Sequence, residues 1–319
     1  MRLFENARFP FLEWRRRAYI ISGALLALGL GSMVYNIATT GSWLEYGVDF
    51  TGGTVAQVAF KEPVTVDALR GVEKGWEIAS IGDPSNHEFV IRLPSFNESI
   101  GQDPTTELQN TLNTRFGADS YQVVRTEAVG PKVGAELQMR ALLAILISFG
   151  ATLVYLAFRF EWRFGVAAIV ATLHDILITL GFLALLRSEI STGTIAAFLT
   201  IVGYSLNDTI IVFDRIREEV AKRIRGEEYV KLLDRAINET LPRTILTSGT
   251  TLSSLTALYL FGGAVIRDFA QVLILGIGIG TFSSIFVASP ALYFIETRWP
   301  PKAKKAGSSA VSSRRTAGV

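Results

Sequence analysis

Long charge-free stretches alternate along this chain with short charged ones. Residues 18–44, 141–158, 244–266 and 269–295 carry no Asp, Glu, Lys or Arg. Residues 164–186 and 190–213 carry one carboxylate each, Asp175 and Asp208. A helix needs about 20 mainly apolar residues to cross a hydrocarbon core of ~30 Å. The pattern therefore predicts a polytopic α-helical membrane protein with six transmembrane helices.

Between the first and second stretches the rhythm changes. Residues 48–60 have the Val, Ala and Phe content of a strand, with Gly47, Gly52 and Gly53 marking a bend or bulge. Thr65 is a candidate N-cap for a short helix. Residues 76–81 and 87–93 read as strands paired across Gly82-Asp-Pro-Ser-Asn86. Residues 103–116 read as a helix with Thr105 or Thr106 as N-cap and Leu108, Leu112 and Phe116 four apart; residues 121–129 read as a last strand. The order β-α-β-β-α-β is that of an α+β ferredoxin-like domain.

The chain has 319 residues, 49% hydrophobic and 19% charged, which excludes the two soluble domains that length alone would allow. It has no cysteine and only two histidines, His87 and His174, which removes disulfides, thiol chemistry and Cys- or His-rich metal sites.

A net charge of +2 hides a division between two sides. Residues 1–17, 159–163, 214–243 and 298–319 fall together if six spans alternate, and together they hold twenty-one Lys and Arg. Residues 45–134, opposite, hold seven Lys and Arg against thirteen Asp and Glu. The positive-inside rule then places both termini in the cytoplasm and the acidic segment outside. The expected division is a cytoplasmic N-terminus at 1–17, transmembrane helix 1 at 18–40 and an outer (periplasmic) domain at 41–135. Transmembrane helices 2–6 follow at 136–297 with a cytoplasmic connector at 214–243, then a disordered basic tail at 298–319. A cleaved signal peptide fits residues 1–40 less well, because the apolar run exceeds the roughly 7–15 residues of a signal core. The tail's basic residues either touch anionic membrane lipids or act only as a topology determinant.

Asp208 is the first candidate for chemistry. A carboxylate at membrane depth costs about 2.5–3.5 kcal/mol on insertion scales, and Tyr204, Ser205, Asn207 and Thr209 surround this one with polar groups. Low dielectric favours the neutral acid and a nearby cation favours its charge, so such a group can bind and release a proton as conformation changes. The alternative is a carboxylate that reaches towards the cytoplasm or caps a neighbouring helix. Arg243, expected to open the fifth span at the same depth, is the obvious cation; it equally suits an interfacial residue that fixes orientation. His174 and Asp175 lie mid-span, as a proton relay or as polar glue between helices.

Three further features point to packing. The hydroxyls of Thr247-Ser-Gly-Thr-Thr-Leu-Ser-Ser254 suit a helix interface better than a water path. Gly276-Ile-Gly-Ile-Gly280 imitates a dinucleotide fingerprint without the βαβ unit that would give it meaning, so close helix contact is expected. Residues 214–225 form a mixed-charge amphipathic connector. There is no P-loop, so energy would have to come from a partner or an ion gradient.

Five motifs in order complete the picture: Gly47-Val-Asp-Phe-Thr-Gly-Gly53, Val129-Gly-Pro-Lys-Val-Gly134, Leu173-His-Asp-Ile176, Gly203-Tyr-Ser-Leu-Asn-Asp-Thr209 with Phe213-Asp-Arg-Ile-Arg217, and Arg243-Thr-Ile-Leu-Thr-Ser-Gly-Thr-Thr251. Across residues 15–298 the chain resembles the SecF family, the smaller subunits of bacterial SecDF protein-export complexes in the resistance–nodulation–division (RND) superfamily. The resemblance implies an RND-type half bundle of six spans with a periplasmic ferredoxin-like domain, in the bacterial inner membrane. It implies pairing with SecD and association with the SecYEG translocon, SecA and YajC or YidC, acting on unfolded preprotein, with no nucleic acid. By the same resemblance Asp208 and Arg243 take part in proton passage, Asn207 faces a carboxylate of the partner, and Asp49, Gly52, Gly53, Gly130 and Pro131 are structural. No cofactor or enzymatic activity is implied beyond use of a proton gradient, with sodium as the other candidate ion. An RND exporter of lipid or drug would be expected to duplicate the bundle, and a passive scaffold would be indifferent to neutralising Asp208.

Overall fold

The computed structural model describes residues 7–73, 76–81, 86–93, 104–222 and 227–300. The proposed hairpin turn at 82–85, the first residue of the helix expected at 103, part of the connector (223–226) and the tail beyond 300 lie outside the described residues.

The membrane portion is built from α1 (Arg15–Thr40), α5 (Pro131–Arg159), α6 (Trp162–Leu186), α7 (Thr192–Ala221), α8 (Tyr229–Phe261), α9 (Gly263–Ser283) and α10 (Ser289–Arg298). A π-turn, Ser284–Ala288, joins α9 to α10 into one long rod. Among the described residues, five helical segments are long and apolar enough to cross a membrane: Arg15–Thr40, Lys132–Arg159, Trp162–Leu186, Thr192–Ala221 and Ile266–Arg298.

α8 differs for a chemical reason. Eight Ser and Thr residues lie in its part from 244 to 261 and lower its hydropathy. Many of those hydroxyls bond to a carbonyl one turn back, as Thr247 does to Arg243 O (2.9 Å) and Thr256 to Leu252 O (2.7 Å). Such back-bonding satisfies the hydroxyl within its own helix.

The helix that carries Arg243 starts well before the span expected to open there. α8 begins at Tyr229 and runs through Pro242 unbroken, with Arg243 well inside it. Leu232, Leu233, Ala236, Ile237 and Leu241 form a buried stripe with helical spacing. That stripe holds the helix together across the one backbone bond the proline cannot donate.

The outer segment contains α2 (Val48–Thr51), β2 (Gly53–Phe60), α3 (Val66–Arg70), β3 (Glu77–Ser80), β4 (Glu88–Leu93), α4 (Pro104–Phe116) and β5 (Tyr121–Val129). The four strands form one antiparallel sheet in the order β3-β4-β2-β5. Ala56, Val58, Leu69, Ile91, Leu108 and Leu112 are fully buried between the sheet and its helices.

Two details depart from the expected elements. Residues 48–60 are one helical turn followed by a strand, because Gly52 has φ 72° and ψ 169°, a conformation open almost only to glycine. α4 starts at Pro104, so Thr105 and Thr106 lie within its first turn and do not cap it. Thr65 does cap α3, accepting from Ala68 N at 3.2 Å.

A second, two-stranded pairing ties the outer segment to the bundle. β1 (Glu45–Tyr46), just beyond α1, runs parallel to β6 (Glu189–Ile190) between α6 and α7. Arg92 of β4 bonds Glu189 at 2.9 Å, and Arg187 pairs with Glu45.

Glycines set how closely the long helices approach. A Cβ on Gly29 of α1 would lie 2.7 Å from the Cα of Gly181 on α6. On α9, a Cβ at Gly276 would overlap the Ile201 side chain, and one at Gly280 would lie 3.0 Å from Ser205 Cβ, whereas Gly278 faces open space. The glycine run is thus a helix-contact device between α9 and α7.

Candidate functional site

α7 carries the principal site, and its start is strongly specified. Ser191 accepts from Thr194 N (3.2 Å) while Thr194 Oγ1 accepts from Ser191 N (3.1 Å), a complete capping box. Asp49 adds a carboxylate at the same helix end, accepting from both Thr192 N and Thr192 Oγ1 at 2.8 Å. Gly134 and Gln138 of α5 close on α2 from the other side. A Cβ at Gly134 would lie 3.1 Å from Phe50 O, and Gln138 Nε2 donates to that oxygen at 2.8 Å. Gly130 caps α5 and Pro131 opens it, so the motif residues Asp49, Gly52, Gly53, Gly130 and Pro131 all sit at this junction.

Glu189 lies at the same junction, outside the spans. Burial pushes its carboxyl above the ordinary carboxylate range, and the Arg92 guanidinium opposes this without cancelling it.

Asp208 sits mid-helix on the inner face of α7 and is 1% exposed. Its Oδ2 accepts from Ser248 of α8 at 3.3 Å, and Ser248 in turn accepts from Thr281 of α9 at 2.7 Å. Its Oδ1 has no partner among the described residues, nor does the buried Thr244 hydroxyl one turn before Ser248. Arg243 is exposed and makes no ion pair among the described residues, so Asp208 and Arg243 are neighbours in the field but not in contact.

Asn207 points to the exposed side. Thr200 and Gly203 of α7 are exposed with it, as are Thr250, Ser253 and Ser254 of α8, and Tyr204 links the two helices by donating to Thr251 Oγ1 at 3.2 Å.

A second cluster lies on α6. Asp175 is fully buried; its Oδ2 accepts from Ser205 of α7 (2.5 Å) and Ser283 of α9 (2.7 Å), and its Oδ1 lies 2.9 Å from His174 Nδ1. Of the five membrane residues singled out by sequence, the structure thus joins His174 to Asp175 directly. The Asp175 and Asp208 clusters are each held by hydroxyls of neighbouring helices, Ser205 and Ser283 for the first and Ser248 with Thr281 for the second. Ser248 belongs to the hydroxyl run 247–254 that the sequence assigns to packing; Thr281 and Ser283 were not singled out, and their only trace in sequence is a few hydroxyls in an apolar stretch.

Residues 109–298 match the family model described as protein export membrane protein SecD/SecF, C-terminal, and residues 37–64 match the SecD/SecF GG motif. Protein translocase subunit SecF of Gemmatimonas aurantiaca is 45% identical over 99% of this chain and 97% of its own length. The chain belongs to the SecF family. Its counterpart in Escherichia coli O157:H7 is 38% identical over 88% of this chain and 86% of that one. The SecDF of Thermus thermophilus is 41% identical over 89% of this chain, which spans only 38% of that longer protein. The crystal structure of SecDF from that organism, titled a translocon-associated membrane protein, superposes with a TM-score of 0.80 at 38% identity, covering 93% of this chain and 40% of that one. A SecDF structure in a super-membrane-facing form gives 0.64 at 39% identity. This SecF-family chain is therefore a multi-pass membrane protein with a role in protein translocation, and the GG motif is the segment whose glycines and Asp49 join the outer segment to α7.

Proposed function

We propose that the chain pairs with SecD in the bacterial inner membrane and uses the proton motive force to promote preprotein movement through SecYEG and release on the periplasmic side. The observation that carries this reading is Asp208, an ionisable group almost fully buried at membrane depth with one oxygen unpartnered. Intramembrane carboxylates that face a bundle interior are characteristic of ion pathways.

In the mechanism, Asp208 alternates between a protonated state bonded to Ser248 and an ionised state drawn towards Arg243. Moving one charge through 100 mV supplies about 2.3 kcal/mol, enough to bias a two-state bundle by more than tenfold, since about 1.4 kcal/mol is a factor of ten. Asp49 passes the displacement of α7 to the outer segment. The exposed polar surface around Asn207 is the face for SecD, whose helices would supply a carboxylate there. α8 from Thr244 onward serves as a sixth span, its hydroxyls satisfied internally. The outer segment is a periplasmic ferredoxin-like domain, by its β-α-β-β-α-β order, that holds or releases the emerging chain. Both termini are cytoplasmic, and no bound cofactor is needed.

The test is pulse–chase maturation of a secreted preprotein with wild-type or Asp208→Asn protein at equal membrane abundance. Slow maturation is expected, and the Asp208→Asn, Arg243→Lys double variant should lose little more than either single one. Normal maturation at matched abundance would reduce Asp208 to a structural group and favour a passive scaffold. Repeating the assay while varying sodium separates the two candidate ions.

A further inference from the structure

The Asp175 cluster has no part in the mechanism above, although it is the more deeply buried of the two carboxylate sites. We propose that Asp175 is a second proton-holding site of the bundle, built from His174, Ser205 and Ser283 with Ser22 of α1, and coupled to Asp208 through α7.

Three observations carry it. The hydrogen bonds accommodate both protonation states without moving a heavy atom. When Asp175 is ionised, Ser205 and Ser283 both donate to its Oδ2. When a proton adds to Oδ2, the new O–H donates to Ser283 Oγ, and the Ser283 hydrogen turns to the Gly280 carbonyl, already within 3.1 Å. One proton enters, no covalent bond of the protein breaks, and no donor is stranded; release is the reverse.

His174 supplies the second observation. Its ring is 7% exposed, and Nε2 has no partner among the described residues; the same is true of Ser22 Oγ, which is 6% exposed. α1 and α6 touch at Gly29 and Gly181, and Ser22 and His174 each lie seven residues earlier, two turns down the same face of each helix. A hydroxyl donor and an imidazole acceptor thus lie at one interface without bonding each other, in the arrangement that one bridging water would complete. This favours the tautomer that donates Nδ1–H to Asp175 and leaves the exchangeable proton to the carboxylate.

The third observation is position. Ser205 precedes Asp208 by three residues, about 4.5 Å of rise along α7, and both side chains face inward. Asp175, through Ser205, and Asp208 therefore act on the same turn of α7, so a change of protonation at one site is carried to the other along that helix. The titratable group in contact with Asp175 is His174 on its own helix; α9 and the π-turn bring no titratable side chain over residues 269–288, and Asp208 is the next carboxylate along α7 from Ser205.

The coupling rests on the reading of Asp208 given above, and infrared difference spectroscopy tests the two separately. The full chain is reconstituted in phospholipid vesicles and titrated, and the carbonyl bands of protonated carboxyl groups are followed. Two buried carboxyl bands are expected. Asp208→Asn should remove one, Asp175→Asn the other, and each should shift the titration midpoint of the band that remains. Ser283→Ala should move the Asp175 band in frequency and leave the Asp208 band in place, and Ser22→Ala should shift the ¹⁵N resonance of His174 Nε2. An Asp175→Asn spectrum identical to wild type overturns the inference. So does an unshifted band in Ser283→Ala, which serves if Asp175→Asn does not assemble. A missing Asp208 band with the Asp175 band intact would overturn the proposed function instead.

Discussion

Replacing Asp49 by alanine tests the mechanical joint between the outer segment and the helix that carries Asp208. The wild-type carboxylate accepts two bonds from Thr192, through N and Oγ1, both at 2.8 Å. Loss of an N-terminal capping group costs about 0.5–2 kcal/mol, and loss of a negative charge at a helix N-terminus costs about 0.3–1 kcal/mol. Ser191 remains as a cap and Asp49 is partly exposed, so the lower end applies, about 1 kcal/mol for the joint. At about 1.4 kcal/mol per tenfold, the first turn of α7 should open roughly fivefold more often. Hydrogen exchange of the full chain in vesicles, read by mass spectrometry, should show that acceleration in peptides covering 191–196. β5 at 121–129 should be unchanged. Asp49→Asn keeps an acceptor and loses only the charge, so it should fall between. Equal exchange at 191–196 in wild type and Asp49→Ala would refute the idea that this carboxylate secures α7. Preprotein maturation should slow in Asp49→Ala while Asp208 is intact.

Two further outcomes follow from the packing and charges. Gly280→Leu forces a side chain into Ser205; it should cost about 1–3 kcal/mol by overpacking, lower the melting temperature in detergent, and move the Asp175 carboxyl band because Ser283 lies three residues on. Glu189 holds a proton more tightly in the folded protein than at the ordinary value of 4.5, chiefly through burial. Its contribution to stability is therefore fully present below that value and is lost as pH rises through the raised one; melting across about pH 4–7 should show the slope, and Glu189→Gln should remove it.

Sequence revealed the bundle because charge-free runs long enough for hydrocarbon are rare by accident, and five coincide with membrane-length helices. β5 was legible to the residue, since Tyr121 and Val129 bound a run with turn residues before it and Gly130 after. Other features depend on distant residues. The one-turn helix at Val48–Thr51 is set by Gly52 and by α5 closing on Phe50, which local propensity cannot register. Passage of α8 through Pro242 depends on a buried stripe, Leu232 to Leu241, packing on core residues of α6 and α7 such as Phe164 and Phe213. In the candidate site, Asp208, Asp175 and His174 were conspicuous as polar residues in apolar runs. Their actual partners, Ser248 and Ser283, come from helices remote in sequence, and the gap between Asp208 and Arg243 reflects the helix packing.

These ties constrain how a change at Asp208 can travel. α7 has 30 residues, about 45 Å as a straight rod. Its outer end is held by Asp49. At its C-terminal end Arg215 bonds Glu239, and the buried Glu219 accepts from Arg235 of α8 at 2.6 Å. α7 and α8 are thus bound by ion pairs at that end as well as by the Ser248 bond at mid-helix. A motion that keeps these pairs moves α7 and α8 together, and the polar contacts it strains are those on the other side of α7. There the link to α6 runs through Ser205 and Asp175. On the proposed reading a proton arriving at Asp175 of α6 alters that link directly, whereas one arriving at Asp208 alters the bond to Ser248 of α8 and, through it, Thr281 of α9. The two sites thus act on opposite sides of α7, where their contact residues Ser205 and Asp208 lie one helical turn apart.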